Sequence, residues 1–157
     1  MAATLIDEED VTEHPQAPII STILWLGGEG LDPEEFTLLV GLQPTWSGKN
    51  GELSSNPMAA KRGVRVQETF WRIEIEQETY SMDEGIQDVL TRMWPYREKV
   101  RAYRVIRPNI RMGVTSVIHI NQDRPVYDIS LDSITKLAEL GCSFMIDDIY
   151  QLEETEN

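Results

Sequence analysis

Leu39-Val40-Gly41-Leu42-Gln43-Pro44-Thr45-Trp46-Ser47-Gly48-Lys49-Asn50-Gly51 is a stretch in which a helix must stop and a connection must begin. Gly41 enters the left-handed conformation that ends helices at little steric cost, and Pro44 lacks the N–H that would prolong one. Just upstream, Leu31-Asp32-Pro33-Glu34-Glu35-Phe36 reads as a helix start. Asp32 stands at the N-cap, Pro33 at the first helical position and Glu35 where it completes a capping box, while Leu31 and Phe36 are spaced as a hydrophobic staple. Such a cap contributes about 1 kcal/mol, enough to fix where a short helix begins. Downstream, residues 47–66 read as a long connection rich in Ser, Gly and Asn. Thr69-Phe70-Trp71-Arg72-Ile73-Glu74-Ile75-Glu76 then alternates Trp71, Ile73 and Ile75 with Arg72, Glu74 and Glu76, the period of a strand with one covered face.

Working outward, Ile19–Leu26 places apolar side chains on both alternating faces, as an interior strand does, and Gly27-Gly28 ends it. Ser81-Met82-Asp83-Glu84 is a second capping box, followed by Ile86, Val89, Leu90, Met93 and Trp94 at the spacing of one helical face, and Pro95 interrupts that helix. Tyr96–Val105 reads as a further helical segment with Val100 and Tyr103 inward and its arginines outward. Ile110, Met112, Val114, Ser116, Ile118 and Ile120 share one face of a long strand, with His119 on the other. A turn at residues 121–124 and a short extended piece at Val126–Ile129 suggest a hairpin. Ser130 or Asp132 caps a third helix with Ile134, Leu137 and Ala138 as its buried stripe and Gly141 as its stop, and Cys142–Tyr150 closes the domain as a strand. The expected fold is a single α+β domain over residues 19–150: a mixed or antiparallel sheet of four to five strands with about three helices packed on it.

At 157 residues, 41% hydrophobic and 26% charged, the chain has the balance of one globular domain with a real core. No apolar run approaches the roughly 20 residues that cross a bilayer, and the N-terminus lacks a basic, then apolar, leader. With the single Cys142 this points to a cytoplasmic protein. The net charge of −13 is unevenly placed: residues 1–18 carry five carboxylates and residues 151–157 carry three, with no Lys or Arg in either. Removing those eight from −13 leaves −5 for the part between, so both ends read as acidic flexible segments. Within that part, Arg92, Arg97, Lys99, Arg101, Arg104, Arg107 and Arg111 gather half of the chain's basic residues into 20 positions, against Glu98 alone. The chain is polarised into acidic ends and a basic middle.

Catalytic patterns are missing. His14 falls in the N-terminal arm, His119 on a strand face, and neither they nor Cys142 sit in a nucleophile motif. Asp147-Asp148 are adjacent in a strand and point to opposite faces, so they do not converge on a metal. No catalytic residue, cofactor or metal is therefore assigned. Trp71 and Trp94 read as core, whereas Trp46, in a Gly-rich loop beside Lys49, is either a core plug or an anchor for a partner. The acidic cluster Asp7, Glu8, Glu9 and Asp10 reads as a solvated arm that can steer a basic partner. Arg97, Arg101 and Arg104 are the candidate anion-binding set, although the chain's charge opposes nucleic acid and the run lacks a nucleic-acid module's aromatic or glycine context.

Gly-Leu-x-Pro-Thr after a short helix, the following Trp and Gly, the strand with a Trp, and the closing Leu-Ala-Glu-Leu-Gly-Cys-Ser-Phe-Met-Ile-Asp-Asp-Ile-Tyr together resemble a bacterial domain-of-unknown-function family, number 4279, across residues 20–150. In that family the loop spaces Trp further from Pro-Thr and ahead of a Lys-Gly pair; here Trp46 follows Thr45 directly and Gly48 precedes Lys49. The resemblance implies no reaction. Small acidic cytosolic domains of this kind occur among immunity proteins. The expectation is a non-enzymatic protein-binding domain, an immunity protein whose acidic surface covers a basic toxin domain, with Trp46 as anchor. The alternative is a small-ligand or nucleic-acid sensor using residues 44–51 and the Arg92–Arg111 stretch.

Overall fold

The computed structural model describes residues 17–150. The acidic arm and tail, apart from Ala17 and Pro18, lie outside the described residues, and so do Asp7, Glu8, Glu9, Asp10 and His14. In chain order the elements are β1 (Ile19–Gly27), α1 (Pro33–Val40), β2 (Trp46–Gly48), α2 (Pro57–Lys61), β3 (Phe70–Glu78), α3 (Met82–Met93), a 3-10 turn (Trp94–Tyr96), α4 (Arg97–Val105), β4 (Arg111–Ile120), α5 (Leu131–Leu140) and β5 (Ser143–Tyr150). The strands form one mixed sheet in the order β2-β3-β1-β4-β5, antiparallel except for the β4–β5 pair that the α5 crossover joins. This is the expected α+β domain.

The core lies on one face of that sheet. Ile20, Leu24 and Leu26 of β1, Trp71 and Ile73 of β3, and Met112, Val114, Ile118 and Ile120 of β4 share a parity and meet Phe36, Ile86, Leu90, Met93, Val100 and Leu137 from the helices. Phe36 carries α1 onto the sheet, its ring edge-on to Trp71 at 4.8 Å and to Tyr103 at 5.5 Å. Burying side chains of this size stabilises by about 1.5–3 kcal/mol each.

The α1 start is half as read. Asp32 Oδ1 accepts from the N–H groups of Glu34 and Glu35, and Gly41 stops the helix at φ 64°. Glu35, however, does not reach back to close the box. It pairs with Arg107, and the Asp32 N–H donates instead to the Tyr103 hydroxyl at 3.1 Å. The α3 start shows the same substitution of a distant group for a local one. Ser81 sits at the N-cap without capping; its hydroxyl donates to Asp128, whose other oxygen accepts the Asp83 N–H.

Five other expectations are corrected. Residues 46–48, read as loop, form β2, because Thr45 N–H donates to the Arg72 carbonyl and draws the chain along β3. The 49–66 connection is structured by the α2 turn, capped by Asn56, and by a Leu53–Arg65 bridge. Val126–Ile129 is no strand and makes no hairpin: Val126 forms an isolated bridge with Ser81. The buried side of α5 is Ser133, Leu137 and Leu140, with Ile134 half exposed, because Ser130 rather than Asp132 caps the helix. Trp94, expected in the core, is only half-buried, its ring faced by Arg97 at 4.7 Å and Lys136 at 5.3 Å.

Candidate functional site

No described helix covers the second face of the sheet, although β1 supplies it with apolar side chains. The register sets these out in rows. Trp46, Arg72, Trp25, Gly113 and Ser143 are consecutive cross-strand neighbours through all five strands. The next row on the same face is Glu74, Ile23, Thr115 and Met145, then come Glu76, Ser21, Val117 and Asp147, and last Glu78, Ile19, His119 and Ile149. Read down the strands, β3 offers Glu74, Glu76 and Glu78 with no ion-pair partner among the described residues, next to the apolar column Ile19, Ile23 and Trp25 of β1. At the far edge Met145 is 57% exposed and Ile149 41%.

Trp25 lies flat because Gly113 leaves room: a Cβ there would come within 2.6 Å of the Trp25 ring and of the Ser143 hydroxyl. Its indole N–H donates to Thr115 at 3.2 Å. Trp46, at the opposite side of Arg72, is 38% exposed. Arg72 itself leans toward Phe70, its guanidinium 5.4 Å from the ring centre and so away from Glu74. Among the described residues it has no ion pair, and its Nε is buried without an acceptor. A buried donor left unmade costs about 1–3 kcal/mol, more when charged. Beyond it, Glu68 and Arg111 pair across the Gly27 end of the face.

The other sequence candidates fall elsewhere. Lys49 opens the turn after β2, its N–H directed to Glu52, far along the chain from the arginine stretch and not joined to it. Arg101 donates to the Glu139 carbonyl, and Arg104 to those of Leu140 at 2.6 Å and Gly141 at 3.3 Å, so both close the C-terminal end of α5 where carbonyls lack helical partners. Arg97 donates to the Trp94 carbonyl, Arg107 stacks on Tyr103 at 3.9 Å while pairing with Glu35, and Arg92 pairs with Asp88. The basic run thus ties α1, α4 and α5 together. Near it, burial pushes the Cys142 thiol up to about 12 against a smaller opposite pull from Arg104, which leaves the sulfur a core atom.

Asp83 is a buried carboxylate. Burial alone raises its pKa, yet the hydroxyl of Ser133, the N–H and hydroxyl of Ser130 and the amide of Gln87 together hold it below the ordinary carboxylate value. These contacts tie the start of α3 to the start of α5 and point at no opening. Among the described residues no cluster of His, Cys, Asp or Glu fits a metal ion, and no helix is long and apolar enough to cross a membrane. An open cleft of about 370 Å³ runs between α1 and β2, lined by Pro33, Glu34, Thr37, Leu38, Gln43, Pro44 and Ser47, without paired titratable groups. Trp25 and Arg72 were missed as site residues. The signal was present in β1, whose apolar residues fill both parities while the helices suffice for one.

The family model for a domain of unknown function (DUF4279) matches residues 19–151, the described fold from the first residue of β1 to one past β5. The chain belongs to the DUF4279 family. No curated protein and no solved structure matches it. The DUF4279 description attaches no reaction to the fold, and the sheet face that no described helix covers is the surface feature the fold sets out.

Proposed function

We propose that this DUF4279 protein is a non-enzymatic binding domain that docks a basic protein partner on the sheet face that no described helix covers. The observation that carries the reading is the apolar column Ile19, Ile23 and Trp25 bordered by Glu74, Glu76 and Glu78, which have no ion-pair partner among the described residues. Apolar area supplies affinity once water is excluded, and a carboxylate border favours lysines and arginines at the rim and speeds their approach. In its finer form the protein is an immunity protein in the cytoplasm, occluding a cognate toxin, with Trp46 at the margin of the contact. The sensor alternative has less behind it, because Arg101 and Arg104 already donate to α5 carbonyls.

The test is co-expression with the product of the neighbouring gene, followed by affinity capture from the native host. A stoichiometric complex that Ile23→Asp abolishes, and whose association slows at least about tenfold with Glu74, Glu76 and Glu78 reversed to Lys, supports the reading. Unchanged toxicity of the neighbour's product, together with no partner lost on these substitutions, overturns it.

A further inference from the structure

Arg72 stands apart from the arginines that the structure uses as cement. Arg65, Arg92, Arg97, Arg101, Arg104, Arg107, Arg111 and Arg124 each donate to a carbonyl, a carboxylate or a hydroxyl. Among the described residues the Arg72 side chain donates to nothing, its Nε is buried, and it is half-buried on the sheet between the cross-strand neighbours Trp46 and Trp25. The ring of Phe70, 5.4 Å from the guanidinium, is the aromatic contact this half-buried cation makes, and Trp46 and Trp25 are its neighbours across the strands. Among the described residues the guanidinium donors meet no anion.

We infer that Arg72, flanked by Trp46 and Trp25, is a binding site for the carboxylate of a ligand that also presents a flat or apolar group to the indoles. A carboxylate matches the fork of an arginine in one plane with two hydrogen bonds. A phosphate dianion matches the donors as well, but Glu74 follows Arg72 on the same face of β3 and the described part of the chain is acidic, so the second charge is repelled. The rings add dispersion and stacking for whatever carries the carboxylate. This site goes beyond the docking of a basic partner and does not depend on it: a free small carboxylate occupies it whether or not a protein covers the sheet.

Benzoate titration of the full chain, read by tryptophan fluorescence and by the arginine Nε–Hε correlations in NMR, tests it. Benzamide is the neutral control, inorganic phosphate the alternative oxyanion, and sodium chloride the ionic-strength match. The expected result is a saturable benzoate response in the millimolar range. It moves the Arg72 correlation, is at least about threefold weaker with benzamide or phosphate, and vanishes in Arg72→Gln while Arg72→Lys keeps a weakened one. Circular dichroism shows that both variants are folded; should Arg72→Gln not fold, the Arg72 correlation in the wild-type chain decides. An equal response to benzamide, a stronger one to phosphate, or a benzoate response no larger than that of chloride overturns the inference.

Discussion

Replacing Gly85 by Ala separates what helix propensity predicts from what packing predicts, because the two have opposite signs. Gly85 lies in the second turn of α3, where Ala is favoured over Gly by about 0.8–1.0 kcal/mol in an isolated helix. In the fold that turn rests on β1. A Cβ at Gly85 would coincide with the Thr22 hydroxyl and lie 3.1 Å from the Thr22 Cβ, both fully buried, with Gln77 Oε1 at 3.6 Å. Backbone must then move apart in the middle of the core, which costs about 1–3 kcal/mol and sometimes more. Taking the upper end and subtracting the propensity gain gives a net loss of about 2 kcal/mol. For a chain of this length that is a fall in Tm of about 4–8 °C. Urea unfolding followed by far-ultraviolet circular dichroism measures it. The Thr22 hydroxyl is itself buried without a hydrogen-bond partner, so Thr22→Ala should be close to neutral alone. In that background the cost of Gly85→Ala should drop by at least about 1 kcal/mol, since only the 3.1 Å contact remains to be relieved. A stabilised Gly85→Ala, or the same cost in both backgrounds, refutes the reasoning.

Four further outcomes follow from the described contacts. Asp128→Ala should destabilise by about 1–2 kcal/mol and more than Ser81→Ala, because the aspartate and not the N-cap serine accepts the Asp83 N–H; thermal unfolding of the two variants decides. Arg104→Gln should cost about 2 kcal/mol by leaving the Leu140 and Gly141 carbonyls unpaired, and hydrogen exchange should rise first at the end of α5. Asp83, with its folded pKa held below the value of 3.8 it has when unfolded, adds stability that is complete above that value and disappears as pH falls through the lowered one. Asp83→Asn should therefore flatten the acid limb of a stability–pH profile. Cys142, with its thiol pushed up to about 12, should react with a thiol reagent at mildly alkaline pH only after urea unfolds the chain.

The elements carried by local chemistry were legible. The Asp32-Pro33 start and Gly41 stop bound α1 to the residue, because caps act within one turn and need no partner from elsewhere. The alternation of β3 and β4 assigned their buried faces correctly. Where the sequence misled, a group far away in the chain had taken over a local role. Tyr103 receives the Asp32 N–H that Glu35 was placed to receive, and Asp128 does the capping assigned to Ser81. Trp46 read as loop because a strand of three residues has no period to detect, and its pairing depends on β3 lying beside it.

The candidate site divides in the same way. The sequence by itself determined that β1 is apolar on both faces, that β3 alternates glutamate with core residues, and that Gly41 and Pro44 end α1. Side-chain type and spacing decide these things, and both are properties of the linear chain. Only the tertiary structure decided which strands are neighbours, and so that Trp46, Arg72 and Trp25 share a row. It also decided that α1, α3, α4 and α5 pack on one face, with no described helix on the second, and that Arg101 and Arg104 of the basic run are engaged by α5. Those facts depend on register and crossover between segments up to about a hundred residues apart, which local propensity does not encode.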